Sequence, residues 1–335
     1  MPAALAVPAP SLRASLEDAS QVGEARRLAG AACRQAGLDE VTSGRVAVVV
    51  TEAATNVVRH GRGGELLTRP LALGEARGLE VLALDRGPGI SDVGRALQDG
   101  HSTGGTPGTG LGAIRRLSSV FDIYTGAQGT AVLAQMWTHP PPRPPHGVVC
   151  LPKRGQTECG DVWALHHLGA GWRVVVVDGL GHGPDARAAA ISVANAVAAS
   201  RSGAAEALAS AHLAARATRG AAAAVAEIDP SGSIRFGGVG NVAAVLLGPR
   251  SAQNMVSING TLGQGVVRPR EFTYAAPAGG LLVVTSDGLA SRWSLDGYPG
   301  LQSRHPALVA AILYRDHSRN RDDLTVLAVR LDGAA

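Results

Sequence analysis

Residues 139–146 read HPPPRPPH, five prolines in eight residues. Proline fixes its own φ and brings no N–H, so neither a helix nor a central strand can run through this stretch. It reads instead as an extended, semi-rigid spacer. The spacer divides a chain of 335 residues into two stretches, each long enough to bury a core of its own. The expected organisation is a tail over 1–11, a first domain over 12–138, the proline-rich linker over 139–146 and a second domain over 147–332.

Before the linker, residues 22–36 and 42–60 read as helices, 66–73 and 79–85 as strands, and 121–124 and 131–137 as two closing strands. A helix near 113–119 follows a glycine-rich stretch. This alternation predicts an α/β layer on a single sheet. After the linker, 162–168 and 173–178 read as a strand pair. Residues 186–226 hold 21 alanines in 41 positions. They predict two small-residue helices, breaking at Ser202-Gly203 and at Gly220, that run into a strand. Residues 281–286 and 325–331 are further strands, with a helix over 306–317 between them. The overall class is α/β followed by α+β.

The N-terminal stretch carries three elements with chemistry. In RVAVVVTEAATNVVRHG, Glu52, Asn56 and His60 fall at i, i+4 and i+8 on nearly one helix face. The rest of that helix is apolar almost all round, and a carboxylate and an amide there are costly unless something satisfies them. A magnesium ion would do so. In LEVLALDRGPGI a strand ends at Asp85, followed by Gly87 and Gly89. In STGGTPGTGLGAIRRL, Gly104, Gly105, Gly108, Gly110 and Gly112 crowd in front of a helix whose Leu111, Ile114 and Leu117 keep helical spacing. Backbone amides and a helix N-terminus of this kind hold phosphate without a lysine.

In this order the three elements resemble the GHKL ATP-binding fold of histidine kinases, gyrase-type ATPases and bacterial anti-sigma kinases, and look closest to the RsbT/RsbW serine-kinase branch. The resemblance covers residues 12–138 and implies an α/β sandwich, a mixed sheet with helices on one face. It implies Glu52 as general base or water-orienting carboxylate, Asn56 as magnesium ligand and Asp85 as acceptor of the adenine amino group. Gly87 and Gly89 would line the nucleotide, and Gly104, Gly105, Gly108, Thr109, Gly110, Leu111 and Gly112 would form the ATP lid. His60 has no role in that pattern and is expected to cap the helix or sit in the core.

In the second stretch, Asp161 (CGDVW), Asp178 (VVVVDGLGHG), Asp287 (VVTSDGL) and Asp322-Asp323 (RDDLTVL) stand at glycine turns or strand ends. Carboxylates gathered on strand ends repel one another and are what a two-metal oxygen-ligand site requires. A pair of such ions clamps a phosphate and activates water. The order resembles PPM-type, SpoIIE-like serine/threonine phosphatases, the RsbX-like branch in particular, and implies a β-sandwich flanked by helices. It implies Asp178 as the bridge between two metals, helped by the Gly179 carbonyl, with Asp161, Asp287, Asp322 and Asp323 as further ligands and His182 as general acid. Asp323 stands where many relatives have asparagine. Arg154 and Arg173 are both candidates to orient the phosphate. The segment NGTLG at 259–263 fits the branch without a physical account.

Lys153 is the chain's one lysine and is followed by Arg154. That excludes the Gly-Lys-Ser/Thr of a P-loop and the early-strand lysine of the protein-kinase fold. Both phosphate sites must therefore work with glycine backbone, arginine or metal. Residues 1–138 hold 13 arginines against 13 acids, and 156–335 hold 15 against 14. Neither domain offers a basic stripe, and with 3% aromatic residues no nucleic-acid partner is expected. Cys33, Cys150 and Cys159 match no zinc spacing, and no apolar run reaches membrane length. A cytoplasmic protein without a membrane partner is expected.

The leading expectation is a bifunctional partner-switching regulator. It would pair an ATP-dependent serine kinase with a phosphoserine phosphatase using magnesium or manganese. The resemblance implies a STAS-domain anti-sigma antagonist or scaffold as substrate and a sigma factor as a further partner. The alternative is a phosphatase whose N-terminal domain only binds ATP and docks a partner.

Overall fold

The computed structural model describes residues 7–73, 75–98, 110–139 and 145–331. The chain forms two compact units, one built from residues 11–143 and 303–312, the other from the remainder. The inclusion of 303–312 in the first unit departs from a boundary set by the linker alone. That segment opens the helix PALVAAILYRDH, in which Ala307 to Tyr314 are all buried. A helix apolar on every side does not declare in its sequence which core it serves.

In the first unit β1 (Leu12–Leu16) leads into α1 (Gln21–Ala36) and α2 (Glu40–His60). Two strands, β2 (Gly64–Leu73) and β3 (Ala76–Asp85), come next. A short α3 (Val93–Ala96), α4 (Gly110–Leu117), β4 (Val120–Gly126) and β5 (Gly129–Trp137) complete the order. The expected helices and strands are present within a few residues; β1 is an addition. The sheet runs β1-β2-β3-β5-β4. Every neighbouring pair is antiparallel, which corrects the mixed sheet expected. The physical reason is connectivity: β2–β3 and β4–β5 are tight hairpins, which only antiparallel strands allow. Helix α1 ends on Gly37, whose φ of 67° is the left-handed cap glycine accepts without strain. Helix α2 begins on Asp39, whose carboxylate accepts from the Thr42 amide at 2.6 Å. Val46, Val49, Val50, Ala53, Ala54 and Val57 pack α2 into the core with Leu66, Leu79, Val81 and Ala83 of the sheet.

The second unit contains β6 (His146–Leu151), β7 (Asp161–Leu168), β8 (Gly171–Gly179), α5 (Pro184–Ala199), α6 (Ala204–Ala214), β9 (Ala221–Ile228) and β10 (Ser233–Val239). After these come β11 (Ala243–Gly248), β12 (Ser251–Asn254), β13 (Ser257–Ile258), β14 (Phe272–Ala275), β15 (Leu281–Thr285) and β16 (Leu324–Arg330), with α7 (Pro306–His317) between the last two in sequence and its residues 306–312 grouped with the first unit. One sheet runs β13-β10-β9-β8-β7 with β14 also on β10; the other runs β12-β11-β15-β16-β6. Strand side chains alternate between faces, and the core follows that alternation. Trp163, Leu165, Val174, Val176, Ala224 and Phe236 meet Val148, Leu246, Leu282, Val284, Leu327 and Val329 of the opposite sheet. Val175, Val177, Ala223 and Val225 face the other way, onto Ala190, Val193, Ala194, Ala207, Leu208 and Ala211 of α5 and α6. The alanine run makes two helices that lie close on a sheet. This is the β-sandwich flanked by helices that the resemblance implied.

Candidate active sites

In the first unit, α2 carries Glu52 and Asn56 one turn apart and half-buried, at the edge of its buried face. The start of α4 comes up against the same face. A β-carbon at Gly110 would lie 3.5 Å from both polar atoms of the Asn56 side chain and 3.7 Å from Glu52 Oε2. Gly110, Leu111 and Gly112 are thus the first helical residues beside the carboxylate–amide pair. Gly104, Gly105, Gly108 and Thr109 lie outside the described residues.

Asp85, at the end of β3, sits against the end of α2. A β-carbon at Gly61 would meet Asp85 Cβ at 2.4 Å, so glycine lets helix end and strand end touch. Asp85 Oδ1 accepts from the Gly87 amide at 2.8 Å and from the Thr130 amide at 3.0 Å. The Thr130 hydroxyl lies 3.0 Å from that of Thr125, which accepts from the Ile90 amide at 2.8 Å. Thr125 and Thr130 brace Asp85 and the Gly87–Gly89 turn, and sequence reasoning missed both. The only signal was a threonine on each side of the Gly126–Gly129 turn. His60 is the exposed last residue of α2, so a core role is excluded and a place in the final turn remains.

In the second unit, Asp161 opens β7 and Asp178 lies opposite it near the end of β8. Asp287 follows β15, and Asp322-Asp323 precede β16, both from the other sheet. Two sheets therefore deliver five carboxylates to one end of the sandwich. Glycines permit the approach: a β-carbon at Gly179 would sit 2.0 Å from the Ala186 carbonyl, and one at Gly288 2.1 Å from that of Asp323. Asp161 is 1% exposed, and burial pushes its carboxyl to about 7, with the Ser286 hydroxyl opposing and Asp323 and Asp287 adding. Asp178 is pushed to about 9 by burial and by the charges of Asp161, Asp287, Asp322 and Asp323. Asp287 is raised by burial and by Asp322, against the Asn241 amide and Arg319. Asp323 is raised by burial, against hydrogen bonds from the Lys153 and Gly160 amides.

An all-oxygen donor set that the protein leaves electrostatically unsatisfied fits hard divalent cations such as magnesium or manganese. Ser286 Oγ donates to Asp161 Oδ2 at 2.6 Å and Asn241 Nδ2 to Asp287 Oδ2 at 2.6 Å. Among the described residues no three acidic, histidine or cysteine side chains yet converge on a single ion position. The chemistry of the oxygen donors suits such ions. Ser286 and Asn241 are further site residues that sequence reasoning passed over, because a serine before Asp-Gly and an asparagine after glycine look like ordinary turn residues.

One expectation is corrected. Arg173 is fully buried. Its guanidinium donates to Glu227 Oε1 at 2.6 Å and to the carbonyls of Val197, Ser200 and Ser202. It ties the end of α5 to the sheet and is not available to a phosphate. Asp323, expected among the ligands, turns Oδ1 to the Lys153 amide and Oδ2 to the Gly160 amide, each at 2.8 Å. Arg154 lies exposed, with Nε 3.4 Å from Asn320 Oδ1 on the turn before Asp322. His182 is exposed in the loop between β8 and α5, close enough for its charge to act on Asp323. The 259–263 segment now has a physical account. Leu262 is buried and bridges Ala221, and the Gly263 amide donates to His212 Nδ1 at 3.1 Å. The segment covers the start of β9, where the Gly220 carbonyl accepts from the Leu180 amide at 3.0 Å.

Residues 15–136 match the histidine kinase-like ATPase domain. The serine/threonine-protein kinase RsbT of Bacillus subtilis (strain 168) is 32% identical over 114 residues, 34% of this chain and 86% of that kinase. The chain belongs to the histidine kinase-like ATPase family. It joins that ATPase domain to a phosphatase domain, since residues 169–332 match Stage II sporulation protein E, SpoIIE. A solved structure from work on "the bacterial stressosome: a modular system that has been adapted to control secondary messenger signaling" is 25% identical with a TM-score of 0.50, covering 55% of this chain and 98% of that one. RsbX in complex with magnesium is 23% identical with a TM-score of 0.49, over 55% of this chain and 94% of that one. Asp161 lies ahead of the SpoIIE-matched span, and the β7–β8 register brings it beside Asp178. No helix among the described residues is long and apolar enough to cross a membrane.

Proposed function

We propose that this ATPase–phosphatase chain is a bifunctional, cytoplasmic partner-switching regulator that phosphorylates and dephosphorylates a serine of a STAS-domain anti-sigma antagonist or scaffold, with a sigma factor as a further partner. The observation that carries the reading is the presence in one chain of two separate phosphate-handling constellations: Glu52 and Asn56 under the Gly110 helix start, and five carboxylates at the end of the sandwich.

In the kinase direction, ATP is the phosphoryl donor. Asp85, fixed by two backbone amides, accepts the adenine amino group, and the lid glycines hold phosphate. Asn56 would hold magnesium through its side-chain oxygen, and Glu52 would accept the proton of the attacking serine hydroxyl. In the phosphatase direction, Asp161, Asp178, Asp287 and Asp322, with the Gly179 carbonyl, would hold two divalent ions. Once bound, such ions supply positive charge to the phosphate and activate water. Asn241 and Ser286 orient Asp287 and Asp161. His182, exposed in the loop after β8, would return a proton to the departing serine oxygen.

Mass spectrometry of the serine of a neighbouring STAS protein, incubated with ATP and manganese, tests the reading. Wild type should cycle the mark, Glu52→Ala should fail to install it while still binding ATP, and Asp178→Asn should let it accumulate. Transfer undiminished in Glu52→Ala would sink the kinase assignment. ATP binding with no transfer even by wild type would favour a docking module.

A further inference from the structure

Asp323 is 4% exposed and both of its carboxylate oxygens are engaged by backbone. Oδ1 accepts from the Lys153 amide and Oδ2 from the Gly160 amide, each at 2.8 Å, across 170 and 163 residues of sequence. The two amides flank the segment that joins β6 to β7. Gly160 is also bonded on its other side, where its carbonyl accepts from the Gly179 amide at 3.3 Å. One residue therefore ties Asp323 of one sheet to the end of β8 in the other. It does so immediately before Asp161 and immediately after Asp178 in the pairing. Glycine is required there, because a β-carbon at 160 would lie 2.6 Å from Asp323 Oδ2.

At Asp323 each of the two N–H donors is met by its own oxygen. A carboxylate supplies both, whereas a carboxamide supplies one acceptor and turns an NH2 donor toward the second amide. This explains why the sequence reads Asp-Asp here, without asking the second aspartate to bind metal.

We propose that Asp323 is a positioning residue for the phosphatase site: a clamp on the Lys153 and Gly160 amides that sets where Asp161 stands, while Asp322 faces the ions. The proposal rests on the phosphatase reading for its kinetic consequence, but the clamp itself does not depend on it. Removing one acceptor leaves a buried amide unpaired and frees the segment that delivers Asp161.

The test compares full-length wild type, Asp323→Asn and Asp322→Asn. In the metal-free proteins, hydrogen exchange at the Lys153 and Gly160 amides should accelerate about tenfold or more in Asp323→Asn and stay unchanged in Asp322→Asn. In manganese titrations Asp323→Asn should take up as many ions at saturation as wild type, and Asp322→Asn fewer. With p-nitrophenyl phosphate, kcat of Asp323→Asn should fall about 10- to 100-fold, the range for groups that orient ligands, with KM within about twofold. Loss of a bound ion in Asp323→Asn would make Asp323 a ligand and overturn the proposal. Unchanged exchange at the two amides would overturn it equally. Should Asp323→Asn not fold, Lys153→Pro removes a donor in place of the acceptor. It should accelerate Gly160 exchange in the same way, and unaltered Gly160 protection would count against the clamp. If wild type hydrolyses no phosphate ester, the phosphatase reading fails while exchange still decides the clamp.

Discussion

Asp178→Asn should stabilise the metal-free protein while abolishing phosphatase activity. Burial and four neighbouring carboxylates push the Asp178 carboxyl from 3.8 to about 9, so at neutral pH the folded state holds a proton that the unfolded state has released. The sign follows from proton linkage: stability falls as pH rises from the ordinary value toward about 9, because the unfolded chain gains from deprotonation and the folded one does not. Asp161 acts in the same direction up to about 7. At about 1.4 kcal/mol per pH unit, taking up the Asp178 proton costs about 4 kcal/mol at pH 7 and about 2 kcal/mol at pH 5. Asparagine avoids that cost but brings an amide donor into a cluster of acceptors and alters the unfolded chain as well. About half the ceiling, roughly 2 kcal/mol at pH 7, is a reasonable net gain. For a unit of this size that corresponds to a rise in Tm of about 4–8 °C. The assay is thermal melting in EDTA from pH 5 to 8, following the transition that manganese shifts in wild type. Wild type should lose stability across this window more steeply than the variant, and manganese should protect wild type far more. A variant that melts below wild type at pH 7, or two parallel pH profiles, would refute the electrostatic reasoning.

Glu52→Gln should cut phosphoryl transfer by about 100-fold or more while leaving nucleotide affinity within a few-fold, measured by labelled-ATP transfer and by equilibrium binding. Arg173→Met should cost about 1–3 kcal/mol in denaturant unfolding, because the carbonyls of Val197, Ser200 and Ser202 lose their donor, while Arg235 keeps Glu227 paired at 2.6 Å. Gly179→Ala should lower phosphatase turnover and stability together, since its β-carbon would meet the Ala186 carbonyl at 2.0 Å. Circular dichroism and p-nitrophenyl phosphate hydrolysis on the same preparation would check this.

Order along the chain carried much of this protein. The i, i+4 spacing of Glu52 and Asn56, the Asp85 turn and the glycines before α4 are local patterns, and so are aspartates that end apolar strand runs. Local patterns are legible because they depend on neighbours in sequence: a helical repeat, a strand's end, a glycine where another segment passes. The helices of the alanine run were legible for the same reason, down to the breaks at Ser202-Gly203 and Gly220.

What the tertiary structure alone decided is which similar residues do which work. Asp322 and Asp323 are adjacent and chemically identical, yet one is exposed and the other has both oxygens on amides from 163 and 170 residues away. Arg173 looks like a phosphate ligand in sequence and proves to be a buried staple, because register sets it beside Glu227. Thr130 and Asn241 brace the two sites through contacts spanning 45 and 46 residues. Hydrogen-bond partners and burial are set by how sheets and helices close on one another. A sequence lists the carboxylates; only the closed fold distributes amides, hydroxyls and low dielectric among them.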